Sequence, residues 1–565
     1  MRFLIHFLPL ILASIAASIA ASTAASTALA VPSKGHRIMV SGPSPDSPAI
    51  ATRIHAKGGN VVDAPVAVGL GLAVTHPYYA ALGGGGFAMV KMGAEVKALD
   101  FRETAPKSAG PDTYKDTPGK ASLDGGLAVG IPGVVAGLAE LHKKHGKLKW
   151  ADVVQPSIEL AERGFEVSGD WVDLTNKNRE RFNPEAREIL FPKGKALRPG
   201  DRLKQPKLAG FLRRLQREGP KAFYGASNAK KIVAVVNANG GSFSEKDFAD
   251  YKTRWLEPIV ADFRGTKLHL MPPPSSGGVV IAQAVRLVEK LNVTATPNLS
   301  VEELHLLIEI QKQSFRARSL LGDPDFVKNP IAEIVDEKAI DKLASVIDRK
   351  KAAPSMKFLS DADRAAMAKA TGEKEQTTHY SLVDAQGNAV AITTTLNGDY
   401  GSGLIEPETG IALNNEMDDF TTKPGVPNMF GLIQGEANKV QAGARPLSSM
   451  SPTIVEKDGK TILAIGSPGG PRIISAVFQV IYRILARDYD ADLAIQTSRV
   501  HHQFLPDVVK TDALRFPPET LDGLKARGHV VEFGSTAKVY VVKRNGDGLL
   551  EGAADRRGEG AAGGN

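Results

Sequence analysis

The feature that most constrains this chain is a hairpin that opens on a threonine. Residues Thr377 to Val383 and Ala389 to Thr395 each have the composition of a strand, and Asp384-Ala-Gln-Gly-Asn388 between them supplies a glycine-containing turn. Side chains alternate with period two, so pairing Val383 with Ala389 also sets Ser381 against Ala391, His379 against Thr393 and Thr377 against Thr395. One face then carries Tyr380, Leu382, Val390 and Ile392 and requires an apolar cover, expected to be helical. The other face brings two threonine hydroxyls together at the open end. Ahead of the hairpin, Ala352 to Gln376 turns polar and charged, closes on Thr371-Gly-Glu-Lys-Glu-Gln376, and reads as an exposed connector.

The rest of the chain is mixed α and β. Helical patterns run from Pro132 to Lys143 and from Val301 to Leu321. Ile462 to Ile465 reads as a strand, Gly466-Ser-Pro-Gly-Gly470 as a turn, and Pro471 onward as a helix with Ile473, Ile474, Val477, Val480, Ile481 and Ile484 on its apolar side. Such a turn presents backbone N–H groups at a helix start. The first thirty residues are different in kind: Arg2, an apolar stretch to about Ile19, then small residues ending in Ala28-Leu29-Ala30. This is a secretory signal pattern with cleavage expected before Val31, and it implies a periplasmic or secreted protein. The absence of cysteine excludes disulfides, thiolate metal sites and cysteine nucleophiles. The net charge of +8 is scattered and only 6% of residues are aromatic, which argues against a nucleic-acid surface.

A threonine hydroxyl is a weak nucleophile until a base takes its proton, and a chain's own α-amine, with a pKa of about 7.7 to 8, serves when threonine comes first. Thr377 would need a cut after Gln376 to acquire one. Taken alone, a threonine pair at a strand start is weak evidence, because threonine is favoured in strands. Asn414-Asn-Glu-Met-Asp-Asp419 could hold an ammonium group and Arg102 a carboxylate, although the acidic turn read by itself is a solvated loop. Gly83 to Gly86 lacks a following Gly-Lys-Ser/Thr and reads as a tight buried turn. His501-His502 lacks helical metal spacing, and no metal or cofactor is expected. No Gly-x-Ser-x-Gly elbow is present.

Thr377-Thr-His-Tyr-Ser381, Asn414-Asn-Glu-Met-Asp-Asp-Phe420, Arg445-Pro-Leu-Ser-Ser-Met-Ser-Pro-Thr453 and Gly466-Ser-Pro-Gly-Gly470 together resemble the γ-glutamyltranspeptidases. The likeness extends to Gly58-Gly-Asn60, Thr75-His-Pro77, Leu82-Gly-Gly-Gly-Gly-Phe87, Asp100-Phe-Arg-Glu-Thr104, Pro273-Pro-Ser-Ser-Gly-Gly278 and Gly322-Asp-Pro-Asp-Phe326. It implies an α+β fold, the four-layer αββα sandwich of N-terminal-nucleophile hydrolases, made as a precursor that cuts itself before Thr377. The signal peptide would be 1–30, the large subunit 31–376 and the small subunit 377–565, the two subunits forming a heterodimer.

By the same resemblance Thr377 is the nucleophile, Thr395 its hydroxyl partner, and Gly469 and Gly470 the oxyanion donors. Arg102, Ser448 and Ser449 would grip the substrate α-carboxylate; Asn397, Glu416 and Asp419 would hold its α-amine. The implied reaction is ping-pong transfer of a γ-glutamyl group from glutathione or a relative, through an ester on Thr377, to water or an acceptor amino acid. Lys423 to Gly431 resembles a lid loop. There Phe430 replaces the family's tyrosine, which implies loss of a hydroxyl contact toward Asn397, and Tyr400 beside Asp399 replaces a usual phenylalanine, which implies altered acceptor or acyl preference. Two other readings use the same residues. A cephalosporin or glutaryl acylase would act on a side chain without the α-amine, against which Arg102, Glu416 and Asp419 argue. A periplasmic γ-glutamyl-peptide binding protein would have lost Thr377, Thr395 or the glycine pair.

Overall fold

Two seven-stranded antiparallel sheets lie face to face with helices outside both. In the first the order is Ser33–Gly35, Leu550–Ala554, Tyr540–Arg544, Lys460–Gly466, Thr453–Lys457, Thr266–Leu270, Ile259–Phe263; in the second it is Ala561–Gly564, Ile38–Gly42, Thr378–Asp384, Ala389–Thr395, Gly85–Met92, Glu95–Phe101, Arg254–Leu256. The computed structural model describes residues 32–117, 119–358, 377–423, 425–513 and 515–565. The signal segment 1–30, Gln376 and the connector from 359 onward lie outside the described residues.

The hairpin register is the one read from the sequence. Val383 faces Ala389, Ser381 faces Ala391 and His379 faces Thr393, with the ladder ending at Thr378 opposite Thr394. Tyr380, Leu382, Val390 and Ile392 enter an apolar cluster with the helices Asp63–Thr75, Val134–His145 and Trp150–Arg163. Asp63–Thr75 is buried along its entire length, which is why it shows no polar stripe. On the other side, Val383, Ala389 and Ala391 meet Ala464, Ile465 and Val541 of the first sheet, whose far face is covered by Gly277–Lys290 and Arg472–Ala486. The result is the αββα arrangement expected of the resemblance.

Three expectations are corrected. The helix from Val301 stops at Phe315 and tightens into a 3-10 turn over Arg316–Leu320, so Val301 to Leu321 is not one helix. The connector is not exposed from its start: Ala352 N–H donates to the Arg527 carbonyl at 2.7 Å, Ser355 N–H to Asp507 Oδ2 at 2.7 Å, and Ser355 is buried. The run Gly83 to Gly86 is a buried turn only in part, because Gly85 and Gly86 open the strand Gly85–Met92 and pair with Thr395 and Thr394. Gly84 lies against that strand end so closely that a Cβ would sit 2.0 Å from the Thr395 carbonyl oxygen.

Candidate active site

The open end of the hairpin holds the two threonines together. Thr377 Oγ1 lies 3.3 Å from Thr395 Oγ1, and Thr395 Oγ1 accepts the Asn397 N–H at 2.9 Å, which fixes its rotamer. Thr377 is buried to 5% exposure, so its surroundings and not bulk water set its reactivity. Two residues along the same face, the His379 ring bridges Thr393 Oγ1 and Ser381 Oγ, each at 2.8 Å. Burial lowers the His379 pKa to about 3, so the imidazole is neutral at physiological pH and works here as a hydrogen-bonded spacer.

The acidic stretch Glu416–Asp419 forms a buried 3-10 turn. The solvated loop suggested by its composition is therefore corrected, and the cause is a partner far away in sequence. Arg102 donates to Glu416 Oε1 and, at 2.6 Å, to Asp419 Oδ2, while its Nε reaches the Pro446 carbonyl at 3.2 Å. A planar guanidinium meeting two carboxylates at once holds both in register. Glu103 lies behind this fork: burial drives its pKa up to about 7 against the pull of Arg102, and burial raises Glu416 well above the carboxylate range. These two carboxyls, which include three oxygens with no hydrogen-bond donor, are placed to share one proton. Burial also lifts Asp418 to about 6. Asp418 accepts from Ser122 Oγ at 2.7 Å and from Met429 N–H at 2.9 Å, and Asp419 Oδ1 accepts from Asn428 Nδ2 at 3.1 Å, so the acidic turn also anchors the loop that carries Asn428 to Phe430.

Gly469 and Gly470 adopt φ of +123° and +57° at the head of the helix Arg472–Ala486, a backbone path that L side chains rarely take. The Phe430 ring closes onto Gly470, where a Cβ would come within 2.8 Å of the ring, and its carbonyl accepts Gln503 Nε2 at 3.0 Å. That loop thus borders the cavity with a phenyl ring and no hydroxyl. Asn397, whose φ of 70° is unusual for a non-glycine residue, instead donates its side-chain amide to the Asn415 carbonyl at 3.1 Å. Tyr400 is not among the residues that line the cavity; its hydroxyl bonds Thr175 Oγ1 at 2.5 Å.

All the expected site residues except Gly469 line one small cavity, closed by Phe430, Leu432, Met450 and Ile473. Gly469 stands one residue behind it. The arrangement offers a hydroxyl nucleophile at one end and cationic, anionic and hydroxyl groups at the other, which suits a substrate carrying both an ammonium and a carboxylate. Sequence reasoning missed Glu103, although it sits inside Asp100-Phe-Arg-Glu-Thr104, as well as Ser122 as the partner of Asp418, and Arg318. Elsewhere, His305, Glu309 and His529 bring ligand-type atoms together, but the two imidazoles already hydrogen-bond each other at 2.8 Å and Lys312 takes Glu309 at 2.8 Å.

The family model described as Gamma-glutamyltranspeptidase matches residues 47–565. The glutathione hydrolase proenzyme of Escherichia coli K12 is 41% identical over 541 residues, covering 93% of this chain and 91% of that protein. Among solved structures, the γ-glutamyltranspeptidase of Helicobacter pylori is 34% identical with a TM-score of 0.54, covering 55% of this chain and 92% of that one. A cephalosporin acylase from Bacillus halodurans superposes with a TM-score of 0.81 over 94% of this chain and 96% of its own, at 22% identity, and so shares the fold.

Proposed function

The chain belongs to the γ-glutamyltranspeptidase family, and on that premise we propose that it is a self-processing γ-glutamyltransferase and glutathione hydrolase whose nucleophile is Thr377. The observation that carries this reading is the Thr377–Thr395 hydroxyl pair, 3.3 Å apart, opening onto a cavity that also holds Arg102, Asn397, Glu416, Asp419, Ser448 and Ser449.

In the precursor, Thr377 Oγ attacks the Gln376 carbonyl, the peptide C–N bond breaks as the ester forms, and water releases the Gln376 carboxylate. The freed Thr377 α-amine then takes the hydroxyl proton in each turnover. Oγ attacks the γ-amide carbon of glutathione or a related γ-glutamyl compound; the oxyanion is held by the N–H groups of Gly469 and Gly470; the amine half leaves with a proton. Water or an acceptor amine attacks the γ-glutamyl ester and restores the hydroxyl. Arg102, Ser448 and Ser449 hold the donor's α-carboxylate, while Asn397, Glu416 and Asp419 hold its α-amine. Residues 31–376 and 377–565 are the large and small subunits of a heterodimer. With the leader 1–30 removed, the protein works in the periplasm or outside the cell. None of the described helices is long and apolar enough to cross a membrane.

Parallel assays with a γ-glutamyl anilide and a glutaryl amide test the reading. Turnover of the anilide with little action on the glutaryl amide is expected, because Glu416 and Asp419 would lack an ammonium partner in the latter. Preference for the glutaryl amide would assign the chain to acylase chemistry, and binding without turnover of either would assign it to a binding protein.

A further inference from the structure

Two buried arginines beside the cavity are in opposite electrostatic situations. Arg102 is neutralised in place by Glu416 and Asp419. Arg318, in the 3-10 turn Arg316–Leu320, is 4% exposed and has only neutral partners: Ser449 Oγ at 3.0 Å, the Ser448 carbonyl at 3.0 Å, the Leu447 carbonyl at 3.2 Å, Gln434 Oε1 at 3.3 Å, and Ser276 Oγ. Its Nε has no acceptor, and no ion pair among the described residues includes it. Burial lowers its pKa to about 10, partly offset by the field of Asp419 and reinforced by that of Arg102.

A buried cation held only by neutral oxygens is costly unless an anion arrives to balance it. Carbonyl oxygens and hydroxyls could be bound equally well by a neutral amide. Ser449, which Arg318 holds, faces the cavity, whereas Arg318 itself stands one layer behind.

Building on the γ-glutamyl reading above, we propose that Arg318 is the positioning residue that supplies the uncompensated positive charge for the donor's α-carboxylate, acting through the Ser449 hydroxyl it orients. With Nη1 of Arg318 donating to Ser449 Oγ, the Ser449 O–H is directed into the cavity as a donor. The carboxylate then completes a chain from guanidinium through hydroxyl to anion. Arg102 also meets the carboxylate, but its charge is shared with Glu416 and Asp419, which it keeps in register for the α-amine.

The test compares wild type, Arg318→Gln and Arg318→Lys, each verified as processed at Thr377, on a γ-glutamyl anilide and on its α-carboxamide analogue. For Arg318→Gln, KM for the carboxylate donor should rise about 30-fold, the scale of removing one member of a buried charge pair, with kcat changed less than about threefold and KM for the carboxamide unmoved. Arg318→Lys should recover about half of that loss on a logarithmic scale, because it restores charge without the fork. If Arg318→Gln does not fold, Arg318→Lys alone should still raise KM for the carboxylate donor selectively, by about fivefold. Equal KM shifts for both donors, or a fall in kcat alone, in either folded variant overturn the proposal. A wild type that ignores the anilide would instead overturn the γ-glutamyl reading on which it rests.

Discussion

The two faces of the hairpin 378–395 obey different rules. The outer face is made of Tyr380, Leu382, Val390 and Ile392, all 0% exposed and packed on helices. The inner face begins as apolar Val383, Ala389 and Ala391 near the turn and becomes polar toward the open end, through Ser381, Thr393, His379, Thr395 and Thr377. The outer residues set the register by excluding water. A one-residue slip would bring polar side chains into the helical layer, so apolar packing on one face is what holds two hydroxyls 3.3 Å apart on the other.

The sharpest way to break this contrast is at its reactive end. Thr377→Ala should run as one uncut chain on a denaturing gel, with no measurable γ-glutamyl anilide turnover. Thr377→Ser should retain both cutting and turnover at reduced rates; an active, uncut Ala variant would dissolve the distinction between the faces.

Next in size is Gly470→Ala. The positive φ and the Phe430 ring resist a Cβ there, and a displaced oxyanion donor lowers kcat by about 10²- to 10³-fold. Steady-state kinetics should show the fall in kcat while the thermal midpoint moves far less than the activity.

Ile392→Ala on the outer face should do the reverse. Loss of a fully buried isoleucine costs about 2–5 kcal/mol of stability, read from urea midpoints, and leaves kcat of the folded fraction within about twofold because no site atom is removed. A large kcat defect in a well-folded Ile392→Ala protein would mean that the faces are not separable.

The smallest expected effect concerns Glu103. Its pKa in the fold, about 7, exceeds the ordinary 4.5, so between those values the folded protein keeps a proton that the unfolded chain has lost. That contribution to stability is complete below pH about 4.5 and disappears as pH rises through about 7. Glu103→Gln, which keeps a donor toward Glu416 at every pH, should flatten the decline in thermal midpoint between pH about 4.5 and 7; an unchanged profile would assign the titration to another group.

What was legible in the sequence was local. Alternation fixed the hairpin pairing, and proline after a glycine turn marked the helix Arg472–Ala486. Read by itself the acidic turn looked solvated, because its burial depends on Arg102, more than three hundred residues earlier, which no local pattern registers. The connector's start looked exposed for the same reason, since Arg527 and Asp507 hold Ala352 and Ser355 from far along the chain. Arg318 was hidden inside a helical periodicity that the tightening at Arg316 breaks, and that tightening accompanies its contact with Ser449. The individual roles of Thr395, the glycine pair and the serines came from family resemblance; spacing alone offered only a hydroxyl beside a hydroxyl.

The strand that begins at Thr378 is the third of seven, bordered by Ile38–Gly42 on one side and Ala389–Thr395 on the other, and Leu550–Ala554 likewise sits between Ser33–Gly35 and Tyr540–Arg544. A cut before Thr377 would therefore leave two polypeptides woven through both sheets. Their parting is the melting of the whole body, so unfolding releases two molecules from one: the thermal midpoint of the processed pair should rise with protein concentration, and that of the uncut Thr377→Ala chain should not.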